Sequence, residues 1–580
     1  MIRILLIFVF FTATLPALRA ENAPPNIIVV MPDDMGYGDL GSTGNSVIRT
    51  PNLDKFAEDS ASLTNFYVSP VCSPTRASLM TGRYNYRTRV IDTFKGRSMM
   101  EPEEYTVAEA LGEAGYATGI FGKWHLGDNF PLRPQDQGFD EVLIHRGGGL
   151  AQPSEPIENE QRYTDPILFH NGEQVQMEGY CTDIYFDAAM EFIEESVDAK
   201  KPFFVYLPPN APHGPYHDVP EDLLAYYKSI DLTPVLAGNE TEKHRDTVAR
   251  VFAMVENIDQ NMGRLDTFLA EKGLLENTLI IFLTDNGPNT MRYVGPFRGM
   301  KSNVLEGGIH TMFYARWPEV LEAGTTSDRI AAHIDLMPTL LDAAGAENPG
   351  DVEFDGTSVL PLLKGSVGDW DDERVLFFQS HRGDRPVGFH NFAVRSQDWK
   401  LLRETGFGSE TIEKKAPFEL YKISEDPGEE NELASNHPEL MKRLKDDYRT
   451  WLQDVSTTRP DNYDPPRIII GSDEEILTDL SIQDWRVDND EGWGTSGRWM
   501  VNITDPGPYT ATVKWDHSIG EREVVLKVGE VSVIGKLKDG SQNVVFPSVQ
   551  LSEGEQAISV QVSGEPNRKD TLRFVTFDRE

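Results

Sequence analysis

Four short apolar runs limit how this chain can fold: residues 27–31, 118–121, 203–207 and 278–283. None of them alternates with polar residues, and helical patterns fill the intervals between them. Strands that are apolar on both faces need cover on both faces, which is the condition of a parallel sheet sandwiched by helices. The expectation is an α/β unit from about Asn26 to Ala344. In such open sheets ligands bind beyond the carboxyl ends of the strands, and here those ends carry chemistry. The first run leads into Asp33-Asp34, the second into Gly122-Lys123-Trp124-His125, the third into a loop that reaches Pro212-His213, and the fourth into Asp285-Asn286-Gly287. One acidic turn after a strand is common and usually solvated. Four such ends on one sheet edge predict a single crevice.

The donor types narrow what that crevice can hold. Asp33, Asp34, Asp285 and Asn286 are hard oxygen donors, suited to Ca²⁺ or Mg²⁺. Zinc is disfavoured without His or Cys among them. A second constellation lies in Cys72-Ser73-Pro74-Thr75-Arg76-Ala77-Ser78-Leu79-Met80-Thr81-Gly82. Pro74 suits the first turn of a helix. That puts Cys72 at a helix N-terminus, which favours an anion, with Arg76 one turn further in. A lone cysteine is most often a buried structural residue.

The wording of that run resembles, at every defined position, the signature of the type I sulfatases, C-x-P-x-R followed by x-x-L-x-T-G. Residues 115–125, Gly-Tyr-Ala-Thr-Gly-Ile-Phe-Gly-Lys-Trp-His, look like a second signature of the same family, G-Y-x-T-x-x-x-G-K-x-H. The resemblance spans about residues 26–455. It implies an alkaline-phosphatase-like fold, a mostly parallel sheet between helices, with a smaller α+β C-terminal subdomain. It implies that a maturation enzyme oxidises Cys72 to formylglycine, whose hydrate attacks the sulfur of a sulfate ester beside a divalent cation. By the same resemblance Asp33, Asp34, Cys72, Asp285 and Asn286 are the metal's surroundings, and Lys123 and Lys301 hold the sulfate. His213 protonates the departing alcohol, His125 assists sulfate release, and Arg76 stands beside the hydrate. Calcium is preferred to magnesium because its coordination is flexible. The rival readings are an aryl sulfatase for small phenol sulfates, a phosphoester or phosphonate hydrolase of the same superfamily, and a non-catalytic glycan-binding protein. The intact Cys, Arg, Lys and His set argues against the last.

The loop Glu141-Val142-Leu143-Ile144-His145-Arg146-Gly147-Gly148-Gly149 offers two basic side chains on a glycine tail. The expectation is that His145 and Arg146 bind sugar hydroxyls. A sulfated saccharide with a galactose-type unit is the expected substrate, by family analogy.

Composition frames the rest. Residues 1–20 open with Arg3, continue through an apolar run and close on Leu18-Arg19-Ala20, the pattern of a secretory leader and not of a membrane span. The expected protein is exported, periplasmic or secreted. The formal charge of −39 becomes −41 without that leader, which carries two arginines and no acid. So acidic a chain repels polyanions, which argues against nucleic acid as a partner. A sulfated polymer is itself an anion, so its approach is easiest in salt, where screening confines the repulsion to about 3 Å at roughly 1 M. The second of two cysteines, Cys181, is expected to be a buried free thiol.

The expected domains are a catalytic unit over 21–345, an α+β subdomain over 346–455, a proline-stiffened linker over 456–467 and a small antiparallel β-sandwich over 468–580. Trp485, Trp493, Trp499 and Trp515 fall in the last. Four tryptophans can form a sugar-stacking surface or a sandwich core, and the core is the expectation.

Overall fold

The computed structural model describes residues 23–348, 352–368, 370–413, 415–458, 463–488, 496–564 and 572–580. The expected leader, four linker residues (459–462) and Trp493 lie outside them. The first strand, Asn26–Val30, runs through the middle of a ten-stranded sheet. Phe203–Leu207 and Thr278–Leu283 flank it, both parallel to it. Ala117–Lys123 and Glu141–His145 extend the parallel set past Phe203–Leu207. Shorter strands close the two edges, mostly antiparallel.

The unbroken hydrophobicity of the central strands follows from this arrangement. Successive side chains of a strand point to opposite faces. Ile28 and Val30 pack into one apolar layer with the helices Cys181–Asp198 and Glu242–Glu271. Ile27 and Val29 pack into the other with Cys72–Thr81, Val107–Glu113 and Leu336–Ala344. Cys181 is fully buried and unbridged, as expected.

Four antiparallel strands, Leu376–Gln379, Phe392–Arg395, Trp399–Arg403 and Glu419–Lys422, form the smaller α+β region with the helix Pro438–Ser456. Its apolar core includes Tyr67, Tyr84 and Ile334 of the preceding region, so the two share one interior.

The C-terminal stretch folds as two packed sheets. Leu477–Ser481, Leu572–Arg579, Gly507–Trp515 and Asn543–Leu551 make one; the other is built around Gly497–Ile503, Gly554–Val562, Arg522–Val528 and Val531–Leu537. The pairing is antiparallel except that Ile468–Ile470 enters parallel to Gly497–Ile503. Trp485, Trp499 and Trp515 are at most 2% exposed. Their rings are core, and none of the three offers a face to a sugar. That core also takes in Met99 and Leu132 from the catalytic region. Polar ties cross the same seam, with Lys514 Nζ 3.0 Å from Glu158 and Arg573 Nη2 donating to the Glu155 carbonyl at 2.8 Å.

A chain ending at Ser456 would expose that shared apolar seam. It is expected to partition into the insoluble fraction, or to lose a cooperative thermal transition. A soluble 1–456 fragment that melts cooperatively would show that the sandwich is an independent appendage.

Candidate active site

The helix Cys72–Thr81 is buried along its whole length, all ten residues. Its motif divides into architecture and chemistry. Leu79 packs in the core, and Gly82 ends the helix in the left-handed region at φ 67°, where a Cβ would also meet Phe354 at 2.9 Å. Cys72 and Arg76 point toward the strand ends.

Arg76 ties those ends together. Its Nη2 donates to Asp285 Oδ2 at 2.8 Å and its Nη1 to the Lys123 carbonyl at 2.8 Å. Thr75 adds a bond from its hydroxyl to the Asp285 carbonyl at 2.7 Å. The guanidinium is fully buried. It therefore acts as a fixed cross-brace between two strand ends, with its positive charge close behind Cys72.

The acidic cluster forms as the sequence leads one to expect. Ligand atoms of Asp33, Cys72 and Asp285 lie within 4.8 Å of one another, and so do those of Asp33, Asp34 and His213. Lys123 Nζ is 2.6 Å from Asp33 Oδ2, and Lys301 Nζ donates to Asp34 Oδ1. Asn286 Nδ2 donates to Asp34 Oδ1 at 2.9 Å, which leaves its Oδ1 free to accept. Asp33 Oδ1, Asp34 Oδ2 and Asn286 Oδ1 are buried without a hydrogen-bond partner. Burial, helped by Asp285, pushes the Asp33 carboxyl up to about 8. Asp34 moves the other way: Lys301 and His213 overcome burial and hold it well below the usual carboxylate range. Orphaned hard oxygens gathered in one place fit a divalent cation.

Two histidines face Cys72 and Asp34. His125, held at φ 62°, places Nδ1 3.5 Å from Cys72 Sγ while Nε2 lies 2.8 Å from the Thr93 carbonyl. A carbonyl only accepts, so Nε2 carries the proton and the Nδ1 lone pair faces Cys72. Burial and then Lys123 hold this imidazole well below its ordinary pKa. His213 sends Nδ1 to the Gly214 carbonyl at 2.7 Å, turning Nε2 toward Asp34 Oδ2 at 3.7 Å. Burial lowers its pKa to about 4, against the pull of Asp34. Burial also pushes the Cys72 thiol up, with Lys123 and Lys301 opposing.

Neither side chain expected to hold sugar hydroxyls is presented to solvent. His145 pairs in register with Lys123 and is fully buried, with Nδ1 3.2 Å from Tyr185 Oη and Nε2 without a partner. It stays at the margin of the site, enclosed. Arg146 is engaged elsewhere than the crevice. Its guanidinium stacks on Phe169 at 4.0 Å and pairs with Asp479 of the C-terminal sandwich at 3.5 Å, so it braces the seam between the two regions. The glycines that follow do reach the site. A Cβ on Gly148 would lie 2.6 Å from His125 Cε1, and one on Gly149 2.8 Å from His213 Nδ1. Other contributors have no motif to announce them. Arg292 Nη2 donates to the Asp34 carbonyl at 3.0 Å, Tyr163 Oη to the His213 carbonyl at 2.5 Å, and Thr93 acts through its backbone.

The chain is similar to known proteins over most of its length. The family model described as Sulfatase matches residues 25–346, and that described as N-sulphoglucosamine sulphohydrolase, C-terminal, matches 300–455. N-acetylgalactosamine-6-sulfatase of Canis lupus familiaris is 31% identical over 486 residues, covering 76% of this chain and 87% of that protein. Arylsulfatase A of Bos taurus is 32% identical over 477 residues, covering 75% and 89%. The solved structure of Ps i-CgsB in complex with k-i-k-neocarrahexaose is 28% identical with a TM-score of 0.64, covering 75% of this chain and 94% of its own. Both family models stop short of the β-sandwich.

Replacing Arg146 or Asp479 with alanine is expected to cost about 1–3 kcal/mol of unfolding free energy each, with the double variant clearly less than additive. Urea denaturation of the four proteins measures this. An unchanged midpoint for Arg146→Ala would mean that the seam contact is idle.

Proposed function

Because this chain belongs to the sulfatase family, we propose that it is an exported enzyme removing sulfate from a saccharide, through formylglycine made from Cys72 and a bound divalent cation. The protein is a sulfuric ester hydrolase, and its family uses formylglycine and a divalent metal. The observation that carries the rest of the reading is the convergence of Cys72, Asp33 and Asp285 within 4.8 Å, walled by Lys123, Lys301, His125 and His213.

Asp33, Asp34, Asp285 and Asn286 are the residues to hold the cation. Calcium fits best, since about six to eight flexible oxygen contacts suit an irregular set of carboxylates and an amide. Bound there, the cation supplies Lewis-acid polarisation of sulfate oxygen and acidifies the nucleophile. Formylglycine supplies a hydrated aldehyde as nucleophile. The raised pKa of the Cys72 thiol supports this, because a buried thiol kept protonated is a poor nucleophile in its own right.

Lys123 and Lys301 bind sulfuryl oxygens and stabilise the charge that builds on them. His213 donates a proton from Nε2 to the departing oxygen. Burial keeps the free imidazole neutral, so the anionic ester itself must favour the proton at Nε2, with Asp34 behind it. His125 accepts a proton at Nδ1 on the Cys72 side, its ring fixed by the Thr93 carbonyl.

A saccharide substrate is supported by the likeness to N-acetylgalactosamine-6-sulfatase and to Ps i-CgsB in complex with k-i-k-neocarrahexaose, and the first of these supports a galactose-type unit. A small aryl sulfate is the second reading, favoured by the likeness to arylsulfatase A.

Enzyme matured in a host that makes formylglycine is expected to release free sulfate from sulfated galactans, with a higher kcat/KM than on nitrophenyl sulfate. Chelation should abolish turnover and Ca²⁺ restore it, while Cys72→Ala should cost at least about a thousand-fold. The tryptic peptide over Cys72 should weigh about 18 Da less than its cysteine form. An unmodified cysteine in fully active enzyme would sink this reading. His213→Ala should slow saccharide hydrolysis about a hundred-fold, but nitrophenyl sulfate, whose leaving group needs little protonation, far less. Equal losses on both would remove His213 from the role of acid.

A further inference from the structure

We infer that Gln483, a residue of the C-terminal β-sandwich, positions His125 and so makes the sandwich part of the working active site. It lies beyond the stretch matched by either family model. Its side chain is 1% exposed, and its Nε2 donates to the Thr93 carbonyl at 2.7 Å. That carbonyl also takes the Nε2 proton of His125, at 2.8 Å. A carbonyl oxygen has two lone pairs, and the two donors use both. Gln483 Nε2 itself stands 3.5 Å from His125 Nε2.

The contact is two-handed. Lys95 N–H donates to the Gln483 carbonyl at 2.8 Å, so residue 483 grips the loop on both sides of Phe94. Arg486, three residues on, donates to the Lys95 carbonyl at 3.2 Å. From the catalytic side the same loop is held by Arg382, whose Nη1 reaches Asp92 and the Thr93 hydroxyl. The Thr93 carbonyl thus sits at the end of a loop clamped from the sandwich. The direction of the amide follows from the chemistry: turned over, Gln483 would set its own oxygen against that of Thr93. As it stands, its Oε1 is buried with no partner. Sandwich packing holds the side chain there without the help of a second bond.

The consequence concerns one proton. With Nε2–H locked to Thr93, the lone pair of His125 Nδ1 faces Cys72. Loosening the carbonyl lets the ring rotate or exchange tautomer, and either change removes the acceptor from Cys72. Substrate contacts made by Lys123 and Lys301 are untouched, so the loss belongs in kcat.

The test uses the full-length matured enzyme, and it rests on the reading of His125 as the group that moves a proton beside Cys72. Gln483→Met keeps the volume and removes the donor. Gln483→Glu keeps the shape and sets a carboxylate oxygen against the carbonyl. Each is assayed for sulfate release, for thermal melting and for conversion of Cys72 by mass spectrometry. We expect kcat to fall about ten-fold in Gln483→Met and further in Gln483→Glu. KM should stay within about two-fold and conversion unchanged in both, with the melting temperature unchanged in Gln483→Met and lowered in Gln483→Glu by its buried carboxyl; a misplaced catalytic group commonly costs this much in kcat or more. Wild-type kcat in both variants, or losses shared between kcat and KM, would overturn the inference. His125→Ala separates its failure from that of the underlying reading: an inactive His125→Ala beside wild-type Gln483 variants refutes positioning alone, and an active His125→Ala refutes the role of His125 itself.

Discussion

The site depends on the buried pair between Arg76 and Asp285. A guanidinium and a carboxylate taken wholly out of water are stable only when their remaining hydrogen bonds are met. Here the Lys123 carbonyl accepts from the guanidinium, and the Asp34 N–H donates to the second carboxylate oxygen, Asp285 Oδ1, at 3.2 Å. The pair thereby fixes three things at once: the helix that presents Cys72, the strand end that presents Lys123 and His125, and the loop that presents Asp285 and Asn286. Planarity is what allows this. A guanidinium can address a carboxylate and a carbonyl on separate edges, which the point charge of a lysine cannot do with the same geometry.

That architecture was legible in the sequence to an uneven degree. Strands apolar on both faces announced the parallel sheet, and the residues directly after them announced the crevice, because a strand end has a fixed place in an α/β fold. The motif around Cys72 was readable for a further reason: Pro74, Leu79 and Gly82 begin, bury and end one helix, so architecture and chemistry are written in the same eleven residues. What escaped notice works through backbone or through distant pairing. Thr93 contributes a carbonyl, which every residue has. Gln483 lies 390 positions from Thr93, and no local pattern encodes that distance. The seam contact of Arg146 is hidden from the sequence for the same reason. A basic residue on a glycine-rich loop suggested an open hand, but its partner Asp479 belongs to the sandwich. The glycines beside it carried the information instead, since their missing side chains make room for His125 and His213.

The sandwich changes character in this light. Its tryptophans are core, and its seam with the catalytic region is both apolar, through Met99 and Leu132, and polar, through Asp479, Gln483 and Arg573. An appended module joined only by a linker would need none of these. A domain that helps to hold the ring of His125 needs all of them, because a positioning contact is only as firm as the body behind it.

The charges of the site follow one scheme. Each carboxylate has one cationic partner: Asp33 has Lys123, Asp34 has Lys301 and Asp285 has Arg76. With Asp33 pushed toward its protonated form, the carboxyl groups do not fully offset the three cations, and the cluster leans positive. In the proposed reading, a divalent cation bound to the same carboxylates would compete with both lysines for their oxygens, and the ammonium groups would then be available to an anion. Cation and sulfate would thus favour each other's binding through Lys123 and Lys301. Arg76 is excluded from that exchange by its burial and its cross-bracing bonds, so the frame stays fixed while the lysines respond. On a chain with a formal charge of −39, this small positive focus is where the proposed anionic substrate would be held, and screening by salt would set how easily it arrives.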